Sequence, residues 1–256
     1  MLLENKVAVI TGGGRGIGRA IAEAFANEGA FVGICSRTIG NLKDTVASLN
    51  QRGAKGLAVP CDIRNAGEVD KAISKIVDEF GKIDILVNNS GASGMNPMDR
   101  ADDSKWMDII NTNLTGMYLV TKRVLRSMTD DSRVINISSV LGKFGVPGYT
   151  AYCTSKHGVI GFTRALAQEL APRRITVNAI CPGWVDTEMA AEGIMEISSH
   201  IGVAPDDFKK DALTRVPLGR FLDPEEVAGL AVYIASDAAK SMTGQALNIC
   251  GGATTA

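Results

Sequence analysis

Only two histidines, His157 and His200, occur among the 256 residues, and the five cysteines are odd in number and scattered. Cys35, Cys61, Cys153, Cys181 and Cys250 form no C-x-x-C pair, so neither zinc spacing nor a disulfide framework is present. Without clustered His, Asp or Glu there is no case for a catalytic metal. Net charge is nearly absent, since 27 Lys and Arg face 28 Asp and Glu to give −1. No broad field exists to hold nucleic acid or an anionic membrane, and neither is expected as a partner. Long apolar runs are missing too, none approaching the roughly 18 to 20 residues that span a bilayer. Glu4 and Lys6 precede Val7-Ala8-Val9-Ile10, which leaves no apolar signal region and makes a cytoplasmic location the expectation.

What is there suits a folded enzyme: 45% hydrophobic and 21% charged residues are ordinary for a globular domain. No linker, repeat or low-complexity tract divides the chain, so one domain over residues 1–256 is expected. Short β-branched runs near 6–10, 31–35, 57–59, 84–88, 134–138, 175–180 and 246–249 alternate with longer amphipathic stretches. This alternation argues for right-handed βαβ units. Runs such as Ile83-Asp84-Ile85-Leu86-Val87 are apolar enough for strands covered on both sides. The expected fold is α/β: a doubly wound, seven-stranded parallel sheet, Rossmann-like, with helices on both faces.

Asp102 or Asp103 is placed to cap a helix carrying Trp106, Ile110, Met117, Val120 and Val124, while Pro172 ends one running from about 150 to 171. Residues 188–216 break the pattern with mixed polarity, Gly193, Gly202 and Pro205. They read as a substrate lid or as a surface helix pair. Their place after a strand's carboxyl end, where open α/β sheets bind ligands, points to the lid.

After the first strand comes Thr11-Gly12-Gly13-Gly14-Arg15-Gly16-Ile17-Gly18-Arg19. Glycines at a strand-to-helix turn allow close backbone approach to a pyrophosphate, and the helix amino terminus then faces the anion. An acidic residue at the end of the second strand would bind an adenosine ribose and repel a 2′-phosphate. Here Cys35-Ser36-Arg37 has none. Ser36 is a neutral donor, and Arg37 with Arg15 can pair with phosphate, so NADP(H) is favoured over NAD(H).

Tyr152 and Lys156 stand four apart on a predicted helix and therefore share one face. Tyrosine ionises near pH 10, too high for easy proton exchange at neutral pH. An ammonium about 5 Å away, at an effective dielectric of about 20, would favour the phenolate by about 3 kcal/mol, or about two pKa units. The expectation is a Tyr152 pKa lowered toward the working range. Ser139 lies thirteen positions before Tyr152 and Asn113 lies on the preceding helix.

The glycine spacing G-x-x-x-G-x-G and the set Asn113, Ser139, Tyr152 and Lys156 resemble the short-chain dehydrogenase/reductase family, a likeness running from Lys6 to Gly252. Asn88-Asn89-Ser90-Gly91 matches the family's Asn-Asn-Ala-Gly with serine in place of alanine. The resemblance implies a dinucleotide held by Gly12, Gly14, Arg15, Gly16, Ile17, Gly18, Ser36, Arg37, Asp62, Ile63, Asn89, Gly91, Tyr152, Lys156, Pro182, Gly183, Val185 and Thr187. Asp62 would accept from the adenine amine, and Val185 and Thr187 would hold the carboxamide and phosphates. Lys156 would also hold the nicotinamide ribose, Ser139 would bond the substrate oxygen in preference to Ser138, and Asn113 would anchor a water relay.

Within the family, segments such as Arg215-Val216-Pro217-Leu218-Gly219-Arg220 are similar to 3-oxoacyl-carrier-protein reductases and aromatic-polyketide ketoreductases. That implies NADPH-dependent reduction of a β-keto thioester on acyl carrier protein or coenzyme A, by a homotetramer. A secondary-alcohol or steroid-type dehydrogenase would keep the same residues, and a dinucleotide-sensing module would not need the tetrad. The long segment 188–216 suggests a roomy pocket covered by Ile194, Met195, Ile197 and Ile201. Lys122, Arg123 and Arg126, followed by Asp130 and Asp131, offer only a weakened basic patch to an acidic carrier.

Overall fold

Residues alternate between the two faces along each strand, and both faces are buried. The computed structural model describes residues 1–255. Its strands are β1 (Val7–Thr11), β2 (Phe31–Ser36), β3 (Gly56–Pro60), β4 (Ile83–Asn88), β5 (Met128–Ile137), β6 (Thr176–Pro182) and β7 (Ala246–Ile249). They form one sheet in the order β3-β2-β1-β4-β5-β6-β7, with every pair parallel.

The helices are α1 (Gly16–Asn27), α2 (Ile39–Gln51), α3 (Ala66–Phe80), α4 (Asp103–Ile110), α5 (Met117–Val124), α6 (Thr150–Leu170), α7 (Glu188–Ile201), α8 (Pro205–Thr214) and α9 (Pro224–Ala235). On one face Ala8, Ile10, Val32, Ile34, Ile85 and Val87 pack with residues of α1, α2 and α9. On the other, Val9, Cys35, Leu86, Val134 and Val177 pack with residues of α3, α5 and α6. This is the doubly wound Rossmann-like sheet expected from the alternating runs. The order reverses beside β1, so the loops after β1 and β4 diverge and leave a crevice at the carboxyl ends of the strands.

Two elements differ from the sequence reading. β5 starts at Met128, ahead of the apolar run at 134–138, and its pairing with β4 is irregular between Ile83 and Ile85. The early part holds exposed Asp130 and Asp131, with Asp131 at φ 61°, so it lacks the apolar signal of a covered strand. The helix capped by Asp102, whose carboxylate accepts from the Ser104 and Lys105 amides, is also not uniform. It widens into a π-helical stretch at Asn111–Gly116 before continuing as α5. Such widenings often mark functional sites, and Asn113 lies within this one.

A buried chain of amides and hydroxyls ties the sheet centre to its helices. Asn88 Nδ2 donates to Thr121 Oγ1 at 2.9 Å and to Asn136 Oδ1 at 2.8 Å, and Asn136 Nδ2 donates to Thr163 Oγ1 at 2.9 Å. β4, β5, α5 and α6 are thereby held in register by bonds that exist only in the assembled fold. A buried polar group left without a partner costs about 1–3 kcal/mol. Asn136→Ala removes one bond from Asn88 and one from Thr163, which keep Thr121 and the Val159 carbonyl as partners, so it is expected to destabilise the protein by about 1–3 kcal/mol in denaturant titration, and a loss below about 0.5 kcal/mol would show the network to be dispensable.

Candidate active site

The crevice is a cleft of about 1000 Å³ running from the glycine loop to the α7–α8 pair. At its amino-terminal end the turn between β1 and α1 is folded so tightly that side chains have no room. Gly12 sits at φ 68°, and a Cβ on Gly18 would lie 2.3 Å from the Gly12 carbonyl oxygen and 2.4 Å from Asn89 Nδ2. Asn89 holds that turn from β4: its Nδ2 donates to the Thr11 and Gly12 carbonyls at 3.0 and 3.2 Å. Thr11 Oγ1 returns the tie by accepting from the Asn89 and Ser90 amides, both at 3.0 Å. Backbone is thus presented to the cleft where a pyrophosphate needs it.

All eighteen residues named for the cofactor line this one cleft, from Gly12 and Ser36 through Asp62 and Asn89 to Val185 and Thr187. Several hold partners of their own. Arg15 Nη1 meets Glu188 at 2.6 Å, with both side chains more than half exposed. The Asp62 carboxylate takes Arg64 at 2.6–3.1 Å, a pairing that pulls its pKa below the usual carboxylate range and occupies the acceptor expected to face an adenine. Arg64 reaches Asp108 with its other nitrogen. Thr187 caps α7, accepting from the Ala190 amide at 3.3 Å.

Tyr152 and Lys156 project from α6 into the middle of the cleft. Lys156 Nζ is 5.5 Å from the centre of the Tyr152 ring and donates to the Ile137 carbonyl at 3.0 Å. Ser139 faces Tyr152 within hydrogen-bonding reach of its hydroxyl. Ser138 instead donates to the Lys156 carbonyl at 2.9 Å, tying β5 to α6. The thirteen-residue interval therefore separates the two serines by task.

Asn113 is only 3% exposed and does not line the cleft. Its Oδ1 accepts from the Ala92 amide at 2.8 Å, while Nδ2 donates to the Ala92 carbonyl and to Ser155 Oγ, both at 2.9 Å. The side chain fastens the loop after β4 to α6. Sequence spacing shows that a residue reaches the neighbourhood but not which of its groups are already used.

The expected lowering of the Tyr152 pKa is reversed. Burial pushes the phenol up to about 12, and the Ser139 hydrogen bond offsets only part of that. The same burial pushes Lys156 down to about 8, so the cation meant to stabilise a phenolate is itself weakened. A Coulomb estimate at fixed separation omits the desolvation of both groups, and here desolvation is larger.

The far end of the cleft was only partly foreseen. Ile197 and Ile201 line it, but Ile194 is packed inward and Met195 points to solvent at 64% exposure. Residues 188–216 form the helix pair α7–α8, the surface helix pair of the second reading, and several of their residues wall the cleft. Sequence reasoning missed Trp184, Phe208, Phe144 and Tyr149, which give this end its aromatic lining. Trp184 stacks on Phe221 at 5.5 Å and meets Phe208 edge-on at 6.4 Å. His200 also lines the cleft, close to Arg100, whereas His157 is bonded within its helix to the Cys153 carbonyl.

Comparison with known proteins agrees with this geometry. A family model described as enoyl-(acyl carrier protein) reductase matches residues 12–254. The 3-oxoacyl-[acyl-carrier-protein] reductase FabG of Vibrio harveyi is 41% identical over 254 residues, covering 98% of each chain. The chain is a short-chain dehydrogenase/reductase. A Streptomyces coelicolor protein named as a ketoacyl reductase is also 41% identical, covering 97% of each chain. Among solved structures, a variant of actinorhodin polyketide ketoreductase with NADPH superposes with a TM-score of 0.94 at 40% identity, covering 98% of each chain. A short-chain dehydrogenase/reductase of Serratia marcescens superposes at 0.89 with 31% identity, covering 98% of this chain and 99% of that one.

Because burial stabilises the neutral amine, raising the pH through 8 discharges Lys156, whereas an exposed lysine holds its proton past 10. Heteronuclear NMR of the side-chain amine is expected to show Lys156 titrating near 8. A midpoint above 10 would mean that water reaches the ammonium and that burial does not govern the pair.

Proposed function

We propose that the protein reduces a 3-oxoacyl thioester to the 3-hydroxyacyl thioester with NADPH. The observation that carries this reading is the placement of Ser139 and Tyr152, two hydroxyls within bonding reach of each other, where the dinucleotide cradle meets an aromatic-lined chamber. The names carried by the relatives point to the same substrate class.

The residues present fit the dinucleotide: a cradle bare of side chains for the pyrophosphate, a serine and an arginine at the end of β2, and Lys156 beside the reacting position. When bound, the dihydronicotinamide supplies the hydride to the carbonyl carbon. The chain's own residues manage the oxygen. Ser139 donates a hydrogen bond to it, and Tyr152, kept as the neutral phenol by burial, gives up its proton as the oxygen gains negative charge. A pKa near 12 suits this direction, because the acid must be protonated when the alkoxide forms. Lys156 lies close enough to steady the resulting phenolate and to reach a ribose. Asn113 acts as a positioning residue by holding the β4 loop against α6.

NADPH rather than NADH follows from the absence of a carboxylate at Ser36-Arg37 and from Arg37 standing open at the cleft edge. For the carrier, both acyl carrier protein and coenzyme A are retained. Arg123 pairs with Asp70, and Asp130 and Asp131 are taken by Arg173 and Arg174, while Lys122 and Arg126 make no ion pair among the described residues, so a small positive charge remains there for an acidic partner.

Tyr152→Phe removes the acid while keeping the ring, so kcat for acetoacetyl thioesters is expected to fall at least about a hundredfold with NADPH binding preserved. Retention of a tenth of wild-type kcat would remove Tyr152 from the chemistry. In the same assay, NADPH oxidation driven by a 2-enoyl thioester but not by a 3-oxoacyl thioester would overturn the carbonyl assignment. For the cofactor, Ser36→Asp with Arg37→Ala replaces phosphate attraction by repulsion and supplies a ribose acceptor. The ratio of kcat/KM for NADPH to NADH is expected to invert, and a wild-type enzyme already preferring NADH would refute the reading of Arg37.

A further inference from the structure

Tyr149 stands one helical turn before Tyr152, at the start of α6. It is 7% exposed and lines the cleft, its ring edge-on to that of Tyr152 with centres 6.3 Å apart. Its hydroxyl has no hydrogen-bond partner among the described residues. The ring is buried, yet the hydroxyl oxygen is not among the buried unpaired atoms, so it opens onto the cleft. An unpaired hydroxyl at the wall of a ligand cleft is therefore explained best by a bond to the ligand. The Tyr149 backbone is tied locally, its amide donating to the Val146 carbonyl at 3.1 Å and its carbonyl accepting from the Cys153 amide at 2.8 Å.

The surroundings fix its role as a donor. Burial holds the phenol well above its ordinary pKa, and the charge of Glu196 adds to the effect. Glu196 is itself held in place, accepting from Lys105 Nζ at 2.6 Å and the Met95 amide at 2.9 Å. Tyr149 thus stays protonated at every working pH. It cannot replace Tyr152, which is the phenol that faces Ser139 and stands beside Lys156. It lies instead on the side of the cleft leading to the aromatic end.

We infer that Tyr149 is a specificity-determining residue whose hydroxyl donates a hydrogen bond to a second oxygen of the substrate, one carbon removed from the carbonyl being reduced. This rests on the function proposed above and narrows it: a 3-oxoacyl thioester carries oxygens on C1 and C3, and two phenols with ring centres 6.3 Å apart in one cleft offer a donor to each, O–H···O bonds being about 2.7–2.8 Å long. A simple ketone offers nothing to Tyr149 and leaves its hydroxyl unpaired, a penalty that sites built around a hydrogen bond use to reject analogues. Selectivity for β-dicarbonyl compounds would then reside in a residue that takes no part in proton transfer.

Tyr149→Phe removes the hydroxyl and leaves the ring contact. Wild type and variant are compared with the N-acetylcysteamine thioester of acetoacetate and with a plain methyl ketone of similar length, with NADPH affinity and melting temperature measured alongside. The expected result is a fall of about tenfold in kcat/KM for the thioester, mostly through KM, with less than a twofold change for the ketone and unchanged NADPH binding. An equal loss on both substrates would make Tyr149 a general structural or catalytic group, and no loss on either would leave it without a substrate bond; both overturn the inference. Failure of the functional reading shows elsewhere, in a wild-type enzyme that reduces the ketone and not the thioester.

Discussion

A buried lysine with a half-buried tyrosine beside it, at the carboxyl end of β5, sets the terms for the rest of the molecule. Removing both from water makes the neutral forms of each easier to keep, which draws Tyr152 up and Lys156 down until burial outweighs their mutual attraction. A solvated pair would trade protons with water. In the proposed reduction the proton on Tyr152 is held back until an oxygen of greater basicity forms beside it. The cost of burying Lys156 is met in part by the Ile137 carbonyl at 3.0 Å, a backbone group whose position is fixed by the parallel ladder between β5 and β6. The chemistry therefore depends on the sheet being rigid where it ends.

That rigidity comes from asparagines. Asn88 and Asn136 cross-link adjacent strands to α5 and α6, Asn89 ties the β4 loop to the glycine turn, and Asn113 ties the same loop to the catalytic helix. Each carboxamide bridges two elements remote in sequence, and each does so with little or no exposure. The π-helical widening at Asn111–Gly116 belongs to this scheme, since Gly116 has no room for a Cβ against Ile63, and the widened turn carries Asn113. Hydrogen bonds in a low-dielectric interior are strong when complete, and their geometry is unforgiving.

Much of this was legible in the sequence because the signals are local. A covered parallel strand must be apolar, a phosphate turn must be glycine, and two residues four apart on a helix must share a face. From those rules came the sheet, the cradle and the Tyr152–Lys156 pair. What escaped reading was competition for groups already placed. Arg64 takes the Asp62 carboxylate, Glu188 takes Arg15, and Asn113 spends its amide on Ala92 and Ser155. None of these partners is set by a spacing rule, because each is reached through the fold. The polar half of β5 and the orientations of Ile194 and Met195 escaped for the same reason: an apolar pattern cannot be seen in Asp130-Asp131, and a helix packed on one side and open to a cleft on another has no single buried face.

The pairing of Arg15 with Glu188 bears on cofactor choice in a way that magnitudes decide. Both side chains are mostly exposed, 56% and 69%, and a solvated pair of that kind contributes about 0–1 kcal/mol. A phosphate offers a guanidinium more charge than a carboxylate and the same bidentate geometry. Transferring Arg15 from Glu188 to a 2′-phosphate would thus cost little, so the bridge does not argue against the arginine serving the cofactor. Asp62 and Arg64 stand differently, since their contact is bidentate and less exposed. That pair is the more fixed feature of the adenine end. On the proposed NADPH reading, selectivity for the phosphate would rest on Arg37, Arg15 and the missing acid at Ser36, and Asp62 with Arg64 would shape the floor under the adenine.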